Sequence, residues 1–154
     1  MNLYLVQHGE ARPKEEDPER SLSDKGMADV TKIAKYAATQ CNMQVDKICH
    51  SGKLRAAQTA GILAEHLGIS SLVKVDGIRP LDVPDTWVAK LKEKSEDLLI
   101  VGHLPHLARL ATSLLCGAGE NVLVRFQTGG ILALKREDLQ WQVQWMVVPE
   151  IIPG

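Results

Sequence analysis

The sequence predicts an α/β fold: three layers, α/β/α, around a mostly parallel, mixed sheet. Three observations predict it. Short runs of strand-forming apolar residues recur at residues 3–6, 45–50, 72–75 and 97–101. Each is followed by a longer segment, most of them with apolar residues at helical spacing, and strands separated by helices favour parallel pairing through right-handed crossovers. The end of the chain then changes to strand-like runs without helices between them, which brings antiparallel strand into the sheet.

In chain order, the first strand stops abruptly at Gln7-His8-Gly9. Residues 13–19 hold two prolines and mostly charges, the composition of a solvated loop. Ser23 reads as a helix N-cap with Asp24 in the first turn, where a negative charge suits the helix dipole. That helix runs to about Thr39, with Met27, Val30, Ile33, Ala34, Ala37 and Ala38 on one face. The strand at 45–50 turns at Ser51-Gly52 into a helix over 53–66, rich in small residues and stopped by Gly68. After the strand at 72–75 comes an irregular stretch with two prolines, then a short helix over 85–94 with Trp87, Val88 and Leu91 inward. The fully apolar run before Gly102-His103 reads as a strand buried on both faces. Pro105 sits where the next helix begins, with Leu107, Leu110, Ala111, Leu114 and Leu115 facing inward and Gly117-Ala118-Gly119 ending it. Residues 122–126, 130–134 and 141–148 are predicted strands. In the last of these, Trp141, Val143, Trp145 and Val147 alternate with Gln140, Gln142, Gln144 and Met146, the pattern of an edge or half-exposed strand. The prolines at the end predict a loop, and Gly129-Gly130 a turn.

A chain of 154 residues with 45% hydrophobic and 24% charged residues is expected to form a single ordered domain over 1–154. A net charge of −1 gives no reason to expect a nucleic-acid or membrane partner. The opening residues lack the basic and apolar regions of a signal peptide, and no apolar run approaches a membrane span. Cys41, Cys49 and Cys116 have no CxxC spacing and read as buried or partly buried reduced thiols, which places the protein in the cytoplasm.

In open α/β sheets the functional site lies beyond the carboxyl ends of the strands. The first strand delivers Gln7-His8-Gly9 there. The second delivers His50-Ser51-Gly52, with Arg55 in the first turn of the following helix, and the fourth delivers Gly102-His103 before a helix N-terminus. Helix N-termini offer unpaired N–H groups to an anion, and a guanidinium fork matches phosphate oxygens. A neutral imidazole in that setting can attack phosphorus and carry the phosphoryl group. His50, His66 and His106 read as structural or solvent-exposed. The His103-x-x-His106 spacing superficially suggests a metal pair, but Pro105 and the lack of further ligands argue against it, and no nucleotide-binding glycine loop is present.

At these residues the chain resembles the histidine phosphatase (phosphoglycerate mutase-like) superfamily, most closely its short SixA-type phosphohistidine phosphatases. The resemblance rests on Gln7-His8-Gly9, on Arg20-Ser21-Leu22-Ser23-Asp24-Lys25-Gly26, on Ser51-Gly52-Lys53-Leu54-Arg55-Ala56-Ala57-Gln58-Thr59, and on Gly102-His103-Leu104-Pro105, in family order. It implies a phosphoglycerate mutase-like fold and a metal-independent phosphatase with no cofactor, acting on a phosphohistidine-bearing protein or a small phosphate ester. It also implies roles: His8 as the nucleophile, His103 stabilising the transferring group, and Arg55, Arg20 and the residue at Gln7 holding phosphate oxygens.

The departure is Gln7, where the family carries arginine. Glutamine keeps a donor but loses the charge and the fork, a change worth about 2–4 kcal/mol of transition-state stabilisation. Arg12 or Lys53 is expected to replace part of that charge. The alternative reading is a catalytically weakened module that binds phosphate or a phosphoprotein. Asp82, Asp85 and Glu10 are the positional candidates for an acid at the leaving group.

Overall fold

A computed structural model of the chain describes residues 1–118 and 121–154. Its strands are β1 (Asn2–Gln7), β2 (Lys47–His50), β3 (Leu72–Lys74), β4 (Leu98–Gly102), β5 (Ile131–Glu137) and β6 (Gln140–Val147). They form one sheet in the order β3-β2-β4-β1-β5-β6. The first four are parallel, and β5 and β6 add antiparallel strands. The helices are α1 (Asp24–Gln40), α2 (Leu54–Leu67), α3 (Asp85–Lys92) and α4 (His106–Cys116). The fold is therefore the mixed, mostly parallel α/β architecture expected from the sequence.

Strand alternation sorts the core into two layers. Leu3 and Leu5 of β1, with Leu98 and Ile100 of β4, pack against Trp87, Leu91, Leu107 and Leu110 of α3 and α4. Tyr4, Val6, Leu99 and Val101 point the other way, against Ile33, Ala34, Ala37, Ala60 and Leu63 of α1 and α2. Each fully buried Leu or Ile contributes about 1.5–3 kcal/mol relative to exposure, so the central pair β1–β4 is the best-anchored part of the sheet. Ser23 caps α1, its Oγ accepting from the Gly26 N–H at 3.0 Å. Gly68 stops α2 in the left-handed region at φ +70°, where a side chain is disfavoured.

Several expectations are corrected. Residues 122–126 form no strand: Val122 and Leu123 are exposed and only Phe126 is buried. The segment pairs with none of the six strands and instead packs Phe126, with Val124 beside it, onto the core layer of α3 and α4. Gly117 caps α4 as expected, at φ +81°, whereas Gly119 lies outside the described residues. On α1, Met27 and Ala38 are exposed because the buried stripe runs through Gly26, Val30, Ile33, Ala34 and Ala37. Cys116 is exposed rather than buried. Residues 149–151 make a turn of 3-10 helix, and Ile152 after it packs into the core. β6 is an edge strand, but its alternation does not hold. A register shift places Ala133 opposite Trp145 and Leu134 opposite Val143. Trp141 therefore joins the α3/α4 layer, while Trp145 and Val147 join the α1/α2 layer and Val143 is exposed. Among the described residues no helix is long and apolar enough to cross a membrane.

The loop after β1 is pressed onto the first turn of α1. A Cβ built on Gly26 would lie 2.1 Å from the Glu10 carbonyl oxygen, and one on Gly9 would lie 2.6 Å from Val30 Cγ2. Gly61, in the middle of α2, has open space around it. Gly26→Ala is therefore expected to destabilise the protein by about 1–3 kcal/mol, and Gly61→Ala to stabilise it by about 0.4–1 kcal/mol. Urea denaturation of the two variants checks both signs.

Candidate active site

His8 follows β1 directly, and its backbone N–H donates to the Gly102 carbonyl of β4 at 3.2 Å. Its Nδ1 lies 2.7 Å from the Gly9 carbonyl oxygen. A carbonyl only accepts, so Nδ1 carries the proton of the neutral ring. The lone pair is left on Nε2, toward which Arg55 Nε donates at 3.4 Å. Gln7 is paired with Gly102 across the sheet, so His103 emerges beside His8, with ring centroids 5.0 Å apart. His103 is 2% exposed, and its Nε2 lies 2.6 Å from Ser51 Oγ.

Arg20 approaches from the loop before α1. Its backbone sits in the left-handed region at φ +52°, a conformation that costs a non-glycine residue of order 1 kcal/mol. Its Nε donates to the Arg12 carbonyl at 3.1 Å, and its charge is felt by both His8 and Arg55. Lys53, the N-cap of α2, acts electrostatically on His103. Arg12 instead faces Asp24 at 3.7 Å, well exposed. Of the two residues expected to supply charge for Gln7, Lys53 is thus the one near the histidines. Gln7 Oε1 is buried without a hydrogen-bond partner.

Three residues outside the predicted set hold this arrangement. Gly9 N–H donates to Thr59 Oγ1 at 3.0 Å, and that hydroxyl donates to the Arg55 carbonyl at 2.8 Å. The Leu22 N–H donates to Gln58 Oε1 at 2.7 Å. Ser51 meets His103. Through them α2 ties down both loops that carry His8 and Arg20. Their signal in the sequence was polar side chains within one turn of Arg55 or at a strand end. Two of the candidate acids are engaged with neighbours: Glu10 Oε2 accepts from Ser23 Oγ at 2.8 Å and Asp82 Oδ2 accepts from the Arg79 N–H at 2.8 Å, while Asp85 opens α3. Of the remaining histidines, His50 Nδ1 accepts from the Gly52 N–H, His66 Nδ1 lies 3.0 Å from the Ile62 carbonyl, and His106 is fully buried. A broad groove of about 880 Å³ along α1 and the C-terminal residues shares no residue with the cluster.

Electrostatics favour neutral rings and an anionic ligand. Burial pushes His8 down to about 4, opposed by its bond to the Gly9 carbonyl and reinforced by Arg55 and Arg20. Burial pushes His103 down to about 3, reinforced by His8, Arg55 and Lys53. Two neutral imidazoles among guanidinium and ammonium groups leave the site net positive, which suits an oxyanion.

Comparison with known proteins fits this geometry. A family profile described as "Histidine phosphatase superfamily (branch 1)" matches residues 3–85, a span that includes His8, Arg20 and Arg55. No curated protein matches the chain by sequence. Among solved structures, the protein histidine phosphatase SixA complexed with tungstate superposes with a TM-score of 0.84 at 22% identity, covering 97% of each chain. A protein of Agrobacterium tumefaciens bearing the SixA phosphohistidine phosphatase designation gives 0.78 at 23% identity, covering 96% of this chain and 97% of that one. The alpha-ribazole phosphatase of Shigella flexneri gives 0.77 at 15% identity, covering 94% and 95%. At these identities the likeness is one of fold.

The depressed histidines carry a sign. Unfolded histidine takes up its proton near 6.5, whereas His8 and His103 do so near 4 and 3 in the folded chain. The unfolded state therefore binds more protons across that window, and stability falls as pH drops from about 6.5 toward 4. Urea denaturation at pH 7.5 and 4.5 is expected to show this loss, and His103→Asn is expected to show less of it.

Proposed function

Because the chain belongs to the histidine phosphatase superfamily (branch 1), we propose that it is a metal-independent phosphatase that takes a phosphoryl group onto His8. The observation that carries this reading is the tautomer of His8. The Gly9 carbonyl holds the proton on Nδ1, and the basic Nε2 is turned toward Arg55 within ring contact of His103. In the proposed reaction Nε2 attacks phosphorus. Arg55 and Arg20 hold the phosphoryl oxygens and the charge that develops on them. His103, fixed by Ser51, lends its ring to the same oxygens. Water then releases phosphate from phospho-His8.

Phosphohistidine on a protein is the substrate we favour. An imidazole leaving group needs less acid assistance than an alkoxide, and two of the three candidate carboxylates, Glu10 and Asp82, are bound to other groups. The first of the compared structures is described as a protein histidine phosphatase, which supports the same choice. All three cysteines are thiols, which supports a reducing compartment, the cytoplasm. Gln7 favours a second reading, a phosphate-binding module with weakened catalysis, since an uncharged amide stands beside the nucleophile.

The two readings separate in one assay. On the first, the wild-type protein releases phosphate from phosphohistidine or an aryl phosphate, and His8→Ala lowers the rate at least about a thousand-fold. Gln7→Arg raises the rate at pH 7.5 by roughly tens- to a thousand-fold. An inert wild type that becomes active only as Gln7→Arg supports the binding module instead.

A further inference from the structure

Lys74 closes β3, opposite His50 in the register of β2 and β3. A Cβ built on Gly52 would lie 2.5 Å from Lys74 Cε and 2.9 Å from Lys74 Cδ, so the lysine stem lies across the bare backbone of Gly52. That glycine serves the turn after β2, at φ +89°, and also leaves the space the stem fills. Any side chain at position 52 would push the stem away.

Short contacts link this position to the candidate active site. The Gly52 N–H donates to His50 Nδ1 at 3.1 Å. On the other side of the same turn, Ser51 Oγ lies 2.6 Å from His103 Nε2 and accepts from the Lys53 N–H at 3.3 Å. Lys74 therefore lies over the residue between Ser51, which meets His103, and Lys53, whose charge His103 feels. The ammonium of Lys74 is itself felt by His50. Because His50 Nδ1 accepts, the proton of its neutral ring is on Nε2, a second donor on the strand next to Lys74.

The positive charge at this end of the sheet exceeds what one phosphoryl group needs. A phosphoryl group brings about two negative charges at most, and Arg20, Arg55 and Lys53 already answer them. Lys74 is a fourth cation. Among the described residues none of the four forms an ion pair with a carboxylate. The whole chain has a net charge of −1, so this surplus is local. Lys74 is exposed, so an anion reaches its ammonium from solvent without disturbing the core.

Resting on the phosphatase reading, we propose that Lys74, with the Nε2–H of His50, forms a second anion subsite that recognises a carboxylate flanking the phosphohistidine of a protein substrate. The phosphoryl group goes to His8, Arg55 and Arg20. An acidic side chain of the same substrate meets Lys74 beyond the turn at residues 50–53. The subsite adds to binding and takes no part in the transfer, so its effect falls on KM and not on kcat. A long, exposed cation suits that task, since its reach covers acidic residues at more than one offset from the phosphohistidine.

The test uses the intact protein and two synthetic peptides, each with one phosphohistidine, flanked by glutamates in one and by glutamines in the other. At low salt, wild type is expected to turn over the glutamate peptide with a kcat/KM about two- to fivefold higher, the worth of one exposed ion pair. The difference is expected in KM, with kcat unchanged, and to vanish in 1 M salt, where the screening length is about 3 Å. Lys74→Met keeps an apolar stem over Gly52 and removes the charge. It is expected to lose the preference while leaving the glutamine peptide's kcat/KM as in wild type, and Lys74→Arg is expected to retain the preference. Equal kcat/KM for the two peptides in wild type, or a preference that survives Lys74→Met, overturns the proposal and leaves the phosphatase reading standing. A loss of the same factor on both peptides in Lys74→Met also overturns it, since that marks a structural role. Turnover of neither peptide by wild type overturns the phosphatase reading and this proposal with it.

Discussion

The pairing of β1 with β4 is the constraint on which the rest depends. Two apolar strands run parallel at the centre of the sheet, and their register puts Gln7 opposite Gly102. That register alone sets His8 beside His103. A slip of one residue would send one imidazole to the opposite layer of the core. The slip is opposed by buried side chains on both faces, Leu3, Leu5, Leu98 and Ile100 on one and Tyr4, Val6, Leu99 and Val101 on the other. The geometry of the site is thus paid for by ordinary core packing several residues away.

Burial serves the chemistry as well as the fold. Water withdrawn from His8 and His103 makes their charged forms expensive, so both rings stay neutral among cations that would otherwise compete with them for an anion. Arg55 is held by its own helix, and the hydroxyl of Thr59 links that helix to the Gly9 amide. The candidate nucleophile and the guanidinium therefore share one rigid mount, the condition under which preorganised donors contribute most. The left-handed backbone of Arg20 shows that the opposite wall is held less comfortably.

Much of this was legible in the residues because strand ends are legible. An apolar run that stops at Gln7-His8-Gly9 or Gly102-His103 states both its burial and what it delivers. Gly68 and Ser23 announce helix ends through backbone chemistry that few other residues share. What escaped was whatever depends on a distant partner. Residues 122–126 have strand composition, but they pair with none of the six strands and meet the core through Phe126 instead. Helical periodicity puts Met27 and Ala38 on the apolar stripe of α1, but it does not say how broad the contact is, and both are exposed. Ser51, Gln58 and Thr59 are unremarkable polar residues until the loops they hold are brought against them. The orphaned oxygen of Gln7 is invisible in sequence, which shows the glutamine but not the environment of its amide.

The irregularity in β6 has a consequence for how the molecule behaves among its own copies. β6 is an eight-residue edge strand, and its sequence of glutamines, tryptophans, valines and methionine holds no charge. Most edges of that length are guarded against lateral addition by lysine or proline. Here the register shift between Ala133 and Leu134 does that work. By bending the strand and turning Trp145 and Trp141 to opposite faces, it leaves no straight, evenly spaced row of amides for a second chain to extend. The break that spoils the alternation of the sequence also spoils the regularity that edge-to-edge pairing needs.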